Sequence, residues 1–249
     1  MSLDFKNNFL IFCDGACSGN PGRGGWGAII VSPEGHVTEL GGSQALTTNN
    51  KMELTAVIEA LLALKGAREK VILCTDSVYV IRGITQWIFG WRKKGWKTAE
   101  GNDVSNQDLW ERLSKIVYTR GHGAGIDWKF VRGHSGVPGN ERCDEIAVAF
   151  SKGKFVDLYS GPLLKYGVAI HDIPEDTSLP ELKERTEAKP KAYSYLSLLG
   201  GVPMRHSSWL ECERRVKGQS GAKFKKAASS QEELEILSSW GVSAEKLKK

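Results

Sequence analysis

The hydrophobic pattern changes period at residue 48, and that change restricts the fold more than any other feature of the chain. Before it, Phe9 to Asp14 is a short apolar run closed by the turn-rich stretch DGACSGNPGRGG, and two further strand patterns, Trp26 to Val31 and His36 to Leu40, flank Pro33-Glu34-Gly35. After it, Met52, Leu54, Val57, Ile58, Leu61, Leu62 and Leu64 fall at helical spacing, with Thr48, Asn49 and Asn50 offering cap chemistry and Gly66 a stop. Val71 to Thr75 reads as a buried strand ending at Asp76. Ser77 to Trp91 and Asn106 to Val117 read as helices, Asp127 to Val131 as a strand and Asn140 to Phe150 as a last helix. A hairpin meander followed by alternating helices and strands predicts an α/β domain over residues 1–154, a mixed sheet covered by helices.

The 249 residues exceed what one small domain needs, and a composition 41% hydrophobic and 25% charged suits a globular chain with a sizeable core. The net charge of +5 neither selects nor excludes nucleic acid. No run approaches the about 20 apolar residues of a membrane span, and MSLDFKNNF lacks the order of a secretory signal, so a cytoplasmic location away from membranes is expected. Cys13, Cys17, Cys74, Cys143 and Cys212 are odd in number and scattered, which argues against a disulfide framework. Cys13 and Cys17 have no second ligand pair to complete a zinc site.

Beyond Lys154 the texture changes. Asp172 to Glu187 holds six acids against two bases, with Pro174 and Pro180, and Lys189-Pro190-Lys191 follows, so residues 155–192 read as a linker. Order returns over 193–249, where Ser207 or Ser208 caps a helix Trp209 to Val216 and a second helix surrounds Gln231 to Leu237. This predicts a small α+β domain near the lower size limit for independent folding.

Four acids stand where strands end or helices begin: Asp14, Glu53, Asp76 and Asp144. Such places converge at the carboxyl ends of parallel strands, and a shared site of four carboxylates makes physical sense if divalent cations neutralise it. Oxygen-only ligands favour Mg²⁺ or Mn²⁺. Taken singly, Glu53 and Asp144 read better as helix N-terminal acids interacting with the macrodipole, and spacing alone does not decide.

Their contexts go further. DGACSGNPGRGGWGA around Asp14, TTNNKMEL around Glu53, TDSVYV around Asp76, and GHSGVPGNERCDEIA with His134 and Asp144 together resemble the type 1 ribonuclease H family over residues 9 to about 152, as does the basic protrusion GITQWIFGWRKKGWKTA. The resemblance implies a ribonuclease H-like five-stranded mixed sheet flanked by helices. It implies a hydrolase, an endonuclease that cuts the RNA strand of an RNA–DNA hybrid to leave 5′-phosphate and 3′-hydroxyl ends. Asp14, Glu53, Asp76 and Asp144 would hold two Mg²⁺ ions per site, with Mn²⁺ able to substitute, and His134 would serve proton transfer or product release. A non-catalytic hybrid-binding protein would lack one of the four acids, and a transposase of the same broad fold would lack the NNKMEL and GNERCDE contexts.

Cys17, Asn20, Asn49 and Asn50 resemble the family's contacts in the minor groove, and Thr48 a position near a DNA phosphate; Asn49 and Asn50 also suit helix capping. Val78 stands where the family often has Gln. The window Trp87 to Thr98 interleaves Trp87, Trp91 and Trp96 with Arg92, Lys93, Lys94 and Lys97 and holds no acid, a nucleic-acid pattern. Trp87 and Trp91 lie four apart on one helical face, so at least one is expected to pack inward while the other lines a DNA-strand channel. Between Arg205 and Lys226 seven bases and two acids surround Trp209. This region resembles the small hybrid-binding, or viroplasmin-like, domain, which implies that Tyr195 and Trp209 stack on sugars while Lys225 and Lys226 hold phosphates. Leu198-Leu199-Gly200-Gly201 replaces that family's Lys-rich hairpin, and Ala227 its usual Phe. The expected partners are an RNA–DNA hybrid and, through the C-terminal domain, double-stranded RNA; a monomer is expected.

Overall fold

The first three strands, β1 (Phe9–Ser18), β2 (Gly22–Val31) and β3 (His36–Thr47), run well past their apolar cores. The chain was built as a computed structural model that describes residues 7–64, 66–120, 125–181 and 193–247. Most of the stretch read as a turn, DGACSGNPGRGG, is strand, and only Gly19 to Pro21 forms the reversal. Close packing explains the glycine that ends that stretch and the next one along β2: a Cβ on Gly25 would lie 2.2 Å from Ala147 O, and one on Gly27 2.5 Å from Cys143 O. The helix carrying those carbonyls can therefore lie directly on the strand.

Next come α1 (Asn49–Ala63), β4 (Val71–Thr75), and a continuous helical run of α2 (Val78–Arg82), a π turn (Gly83–Trp87) and α3 (Ile88–Lys93). They are followed by α4 (Gln107–Arg120), β5 (Ile126–Phe130) and α5 (Pro138–Ser151). The sheet order is β5-β4-β1-β2-β3-β6, where β6 is Ser160–Pro162. β1 pairs in parallel with β4 and β4 with β5, whereas β1–β2, β2–β3 and β3–β6 are antiparallel. Alternation along β1 divides the core. Ile11 and Cys13 join Leu54, Val57, Ile58, Leu61, Trp110 and Leu113 on the side of α1 and α4, while Leu10 and Phe12 join Ile72, Val137 and Cys143 on the side of α5.

The sheet has six strands rather than the expected five because the segment read as the start of a linker packs on the domain. The chain divides into Met1–Pro180 and Glu181–Lys249, so residues 155–180 belong to the first unit. β6 extends the edge at β3, Ile170 is 2% exposed among Leu10, Ile29 and Val37, Phe130 N–H donates to Thr177 O (3.1 Å), and Arg82 donates to Pro180 O. The segment thus crosses from one sheet edge to the other. Buried Glu39 fastens it, accepting from Arg142 Nε and Nη2 (2.8 and 2.9 Å), Tyr166 Oη (2.6 Å) and Tyr159 N–H (3.0 Å). Burial pushes the Glu39 carboxyl up, but these donors outweigh it and hold the group below its ordinary range. Composition concealed this strap because its apolar anchors, Tyr159, Leu163, Tyr166, Ile170 and Ile173, are spread among polar residues. The rest of the expected linker, 182–192, lies outside the described residues.

In the second unit β7 (Ser194–Leu199) lies between β8 (Val202–His206) and β9 (Lys223–Ala227), with α6 (Trp209–Val216) and α7 (Ser230–Ser239) packed on them. Gly200 and Gly201, at φ 58° and 76°, close the two-residue hairpin between β7 and β8. Leu196, Ala227, Ile236 and Leu237 form its small core. Ser208 caps α6, its Oγ accepting from Glu211 N–H at 3.3 Å.

Candidate active site

The parallel pairing of β1 with β4 carries Asp14 and Asp76 to the same end of the sheet, since Phe12 lies opposite Cys74 and each carboxylate follows two residues later. Gly15 then packs against α1 so tightly that a Cβ would lie 2.3 Å from Glu53 N, and this contact brings Glu53 beside Asp14. Asp144 enters from α5, one turn after the first-turn acid Glu141. Asp14, Glu53, Asp76 and Asp144 line one pocket together with His134, Asn49 and Cys17. Neither Glu53 nor Asp144 lies in the first turn of its helix, so the dipole explanation fails for both.

The second layer around the acids was not legible in the sequence. Ser77 Oγ donates to Glu53 Oε2 (2.6 Å) while accepting from Val80 N–H (3.2 Å), and Asn49 Nδ2 donates to Glu53 Oε1 (2.9 Å). Buried Asn140 directs Nδ2 toward Asp76 Oδ2 at 3.5 Å. Gly133 lies so close to Asp76 that a Cβ would meet Oδ2 at 2.4 Å. A Ser after a strand-ending Asp signals a helix cap, but its bond to Glu53 spans 24 residues, and no local pattern encodes that.

Burial is the main force on Asp14, Glu53 and Asp76. It raises Asp14 to about 8, aided by Asp76, Asp144 and Glu53 and opposed by the Gly15 N–H, which donates to Asp14 Oδ1 at 2.7 Å. Burial likewise raises Glu53 against the bond from Ser77, and Asp76 against that from Asn140. No Lys or Arg is among the residues lining the pocket, and His134 Nδ1 lies 4.0 Å from Asp144 Oδ2.

Among the described residues no three His, Cys, Asp or Glu side chains form a ready-made metal-binding group. Both oxygens of Glu53 are spent on Asn49 and Ser77. The donor chemistry nevertheless fits a hard divalent cation: four partly desolvated carboxylates meet in one pocket with no Lys or Arg in its lining, and a cation would relieve what now raises Asp14.

The other sequence-selected residues divide by place. Cys17 lines the pocket, its Sγ 3.5 Å from Thr47 O. Thr48 precedes α1 without a side-chain capping bond, and it is the exposed Asn20 whose Oδ1 accepts from Asn49 N–H (3.3 Å), while Asn50 is exposed in the first turn. Trp91 packs against the main core, as expected of one of the pair, and both Trp87 and Trp91 are half-buried. They stand 5.8 Å apart in a row of rings that continues through Trp110 to Tyr79, whose hydroxyl accepts from Trp110 Nε1 at 3.1 Å. Lys93 and Lys94 are exposed at the end of α3. In the second unit Tyr195, Trp209 and Phe224 form a second row, with ring centroids 6.0 and 5.4 Å apart, and Lys225 and Lys226 lie on exposed β9. Phe224 carried no expected contact role, since its neighbour in the row, Trp209, lies fifteen positions away.

The RNase H family model matches residues 6–152. Ribonuclease H of Maricaulis maris (strain MCS10) is 59% identical over 141 residues, covering 57% of this chain and 91% of that protein. Ribonuclease H of Cyanothece sp. (strain PCC 7425 / ATCC 29141) is 52% identical over 149 residues, 59% of this chain and 92% of that protein. Among solved structures, LC9-RNase H1, described as a type 1 RNase H with the type 2 active-site motif, superposes with a TM-score of 0.53 at 31% identity, over 64% of this chain and 80% of that one.

Proposed function

The chain belongs to the ribonuclease H family, and from that membership we propose that it is an endonuclease hydrolysing the RNA strand of RNA–DNA hybrids to leave 5′-phosphate and 3′-hydroxyl ends. The observation that carries this reading is the meeting of four carboxylates in one pocket with no Lys or Arg lining it, and an Asp14 carboxyl raised to about 8. Asp14, Glu53, Asp76 and Asp144 would hold two Mg²⁺ ions, or Mn²⁺ in their place. Such a pair supplies activation of a water and stabilisation of the departing 3′ oxygen. Ser77 and Asn49 orient Glu53, and Gly15 fixes its distance from Asp14. His134 stands at the rim, where Nδ1 can take or return a proton near Asp144 and assist product departure.

Hybrid selection divides between two sides of the pocket in this reading. Cys17, Asn20, Thr48, Asn49 and Asn50 face the RNA strand and its neighbouring phosphates. Lys93 and Lys94 hold DNA-strand phosphates beside the half-buried rings of Trp87 and Trp91. The second unit acts as a hybrid-binding domain, with Tyr195 and Trp209 supplying ring faces and Lys225 and Lys226 supplying charge, and double-stranded RNA is its second ligand. Tethering such a unit raises the local concentration of substrate and prolongs each encounter without altering the chemistry. The functional division is a catalytic domain of residues 1–154 braced by 155–180, followed by a binding domain over 193–249.

The test is incubation with labelled hybrid, duplex DNA and duplex RNA, each with and without Mg²⁺. Cleavage confined to the RNA strand of the hybrid, and dependent on the cation, is expected. Cleavage of either DNA strand, or cation-independent hydrolysis, overturns the proposal.

A further inference from the structure

His134 is the one described residue of the pocket lining with a non-glycine left-handed backbone, φ 51°. L-residues with a side chain adopt that conformation only where their surroundings hold them in it. Its side chain is 83% exposed and so has little packing to hold it, yet Nδ1 lies 4.0 Å from Asp144 Oδ2. The restraint must come from the backbone on either side. Before it, Gly133 is pressed against the Asp76 carboxylate, where a Cβ would lie 2.4 Å from Oδ2. After it, Gly136, also left-handed at φ 82°, donates its N–H to Glu141 Oε1 at 2.9 Å, and Ser135 Oγ donates to Arg132 O at 2.6 Å.

Glu141 belongs to the first turn of α5, and Asp144 follows one turn later on the same face. The bond from Gly136 therefore ties the trailing end of the histidine loop to the helix that supplies the carboxylate facing His134. We propose that Glu141 is a positioning residue: it clamps Gly136 and thereby holds the left-handed His134 over Asp144. Glu141 itself faces solvent and is not among the residues lining the pocket, so it acts through the loop and not on the substrate. This rests on the reading of His134 as part of the reaction.

The experiment uses the full chain with labelled hybrid. Glu141→Ala lowers kcat about 5- to 10-fold at unchanged KM, the pattern of a lost transition-state arrangement. Glu141→Gln keeps kcat within about twofold, because its amide oxygen still accepts from the Gly136 N–H. In a His134→Ala background, Glu141→Ala causes no further loss, since two residues acting as one unit are not additive. Amide hydrogen exchange at Gly136 accelerates in Glu141→Ala and not in Glu141→Gln. Full kcat in Glu141→Ala, losses that multiply with that of His134→Ala, or failure of Gln to restore activity while the amide stays protected each overturn the positioning role. A His134→Ala variant with full kcat refutes instead the reading of His134. Impairment of that variant alone leaves the histidine in place and removes Glu141.

Discussion

The protrusion in the first unit and the basic stretch Arg205 to Lys226 in the second are alike in composition, each interleaving aromatic rings with lysine and arginine, yet they spend their rings differently. In the first, Trp87 and Trp91 are half-buried and continue into fully buried Trp110, so the row of rings is an extension of the core. In the second, Trp209 and Phe224 are 42% and 52% exposed. A ring that packs on other rings holds a surface rigid, whereas a ring left open offers its face to a base or sugar. One basic-aromatic pattern therefore codes for a braced platform in one place and an open stacking face in the other.

The strongest break between the units is Asp14→Asn in the full chain. Hydrolysis should fall by at least about 10³-fold while hybrid affinity stays within about threefold, because both aromatic patches remain. Cleavage assays paired with binding titrations measure this. The same variant tests the electrostatics. A carboxyl whose folded pKa is raised keeps its proton after the unfolded chain has lost it, so it adds nothing below about pH 4. Between there and about 8 it lowers stability by up to about 1.4 kcal/mol per pH unit. Cation-free protein should lose stability across that window, Asp14→Asn should lose less, and Mg²⁺ should restore the wild type at pH 8; denaturant titrations read all three.

Trp110→Ala sharpens the claim that the first row is core, with an expected loss of about 3–5 kcal/mol in chemical denaturation. Truncation comes next. A chain stopped after Lys154 loses β6, Ile170 and two of the donors to Glu39, and should be less stable by roughly 2–4 kcal/mol, whereas one stopped after Pro180 should keep the melting temperature of the first unit. The smallest effect belongs to the exposed row: Trp209→Ala should weaken hybrid binding by about 1–2 kcal/mol and change stability by under about 1 kcal/mol. The reverse result, a large stability loss with unchanged binding, would make the second row core as well.

Much of the catalytic unit was readable along the chain. β4 lies where its apolar run predicts, α6 spans the predicted residues, and the four acids picked out by position share one pocket. Local signals carry such information because strand and helix periods and terminal positions are set by near neighbours. The misreadings concern residues whose meaning is a distant contact. Gly25 looked like a turn residue and is a close-packing residue against α5. Tyr159, Tyr166 and Ile170 looked like linker residues and are anchors, because Glu39 and the face beside it lie more than a hundred positions away.

By itself the sequence determined the order of elements from β1 to α5, the positions of the acids and the presence of two basic-aromatic stretches, since each follows from composition within a few residues. Tertiary structure alone decided which acids share a desolvated pocket, which rings are buried and where the first unit ends. Burial, carboxylate repulsion and the support of Glu39 or Glu53 by remote donors depend on groups that only the folded chain brings within a few ångströms of one another.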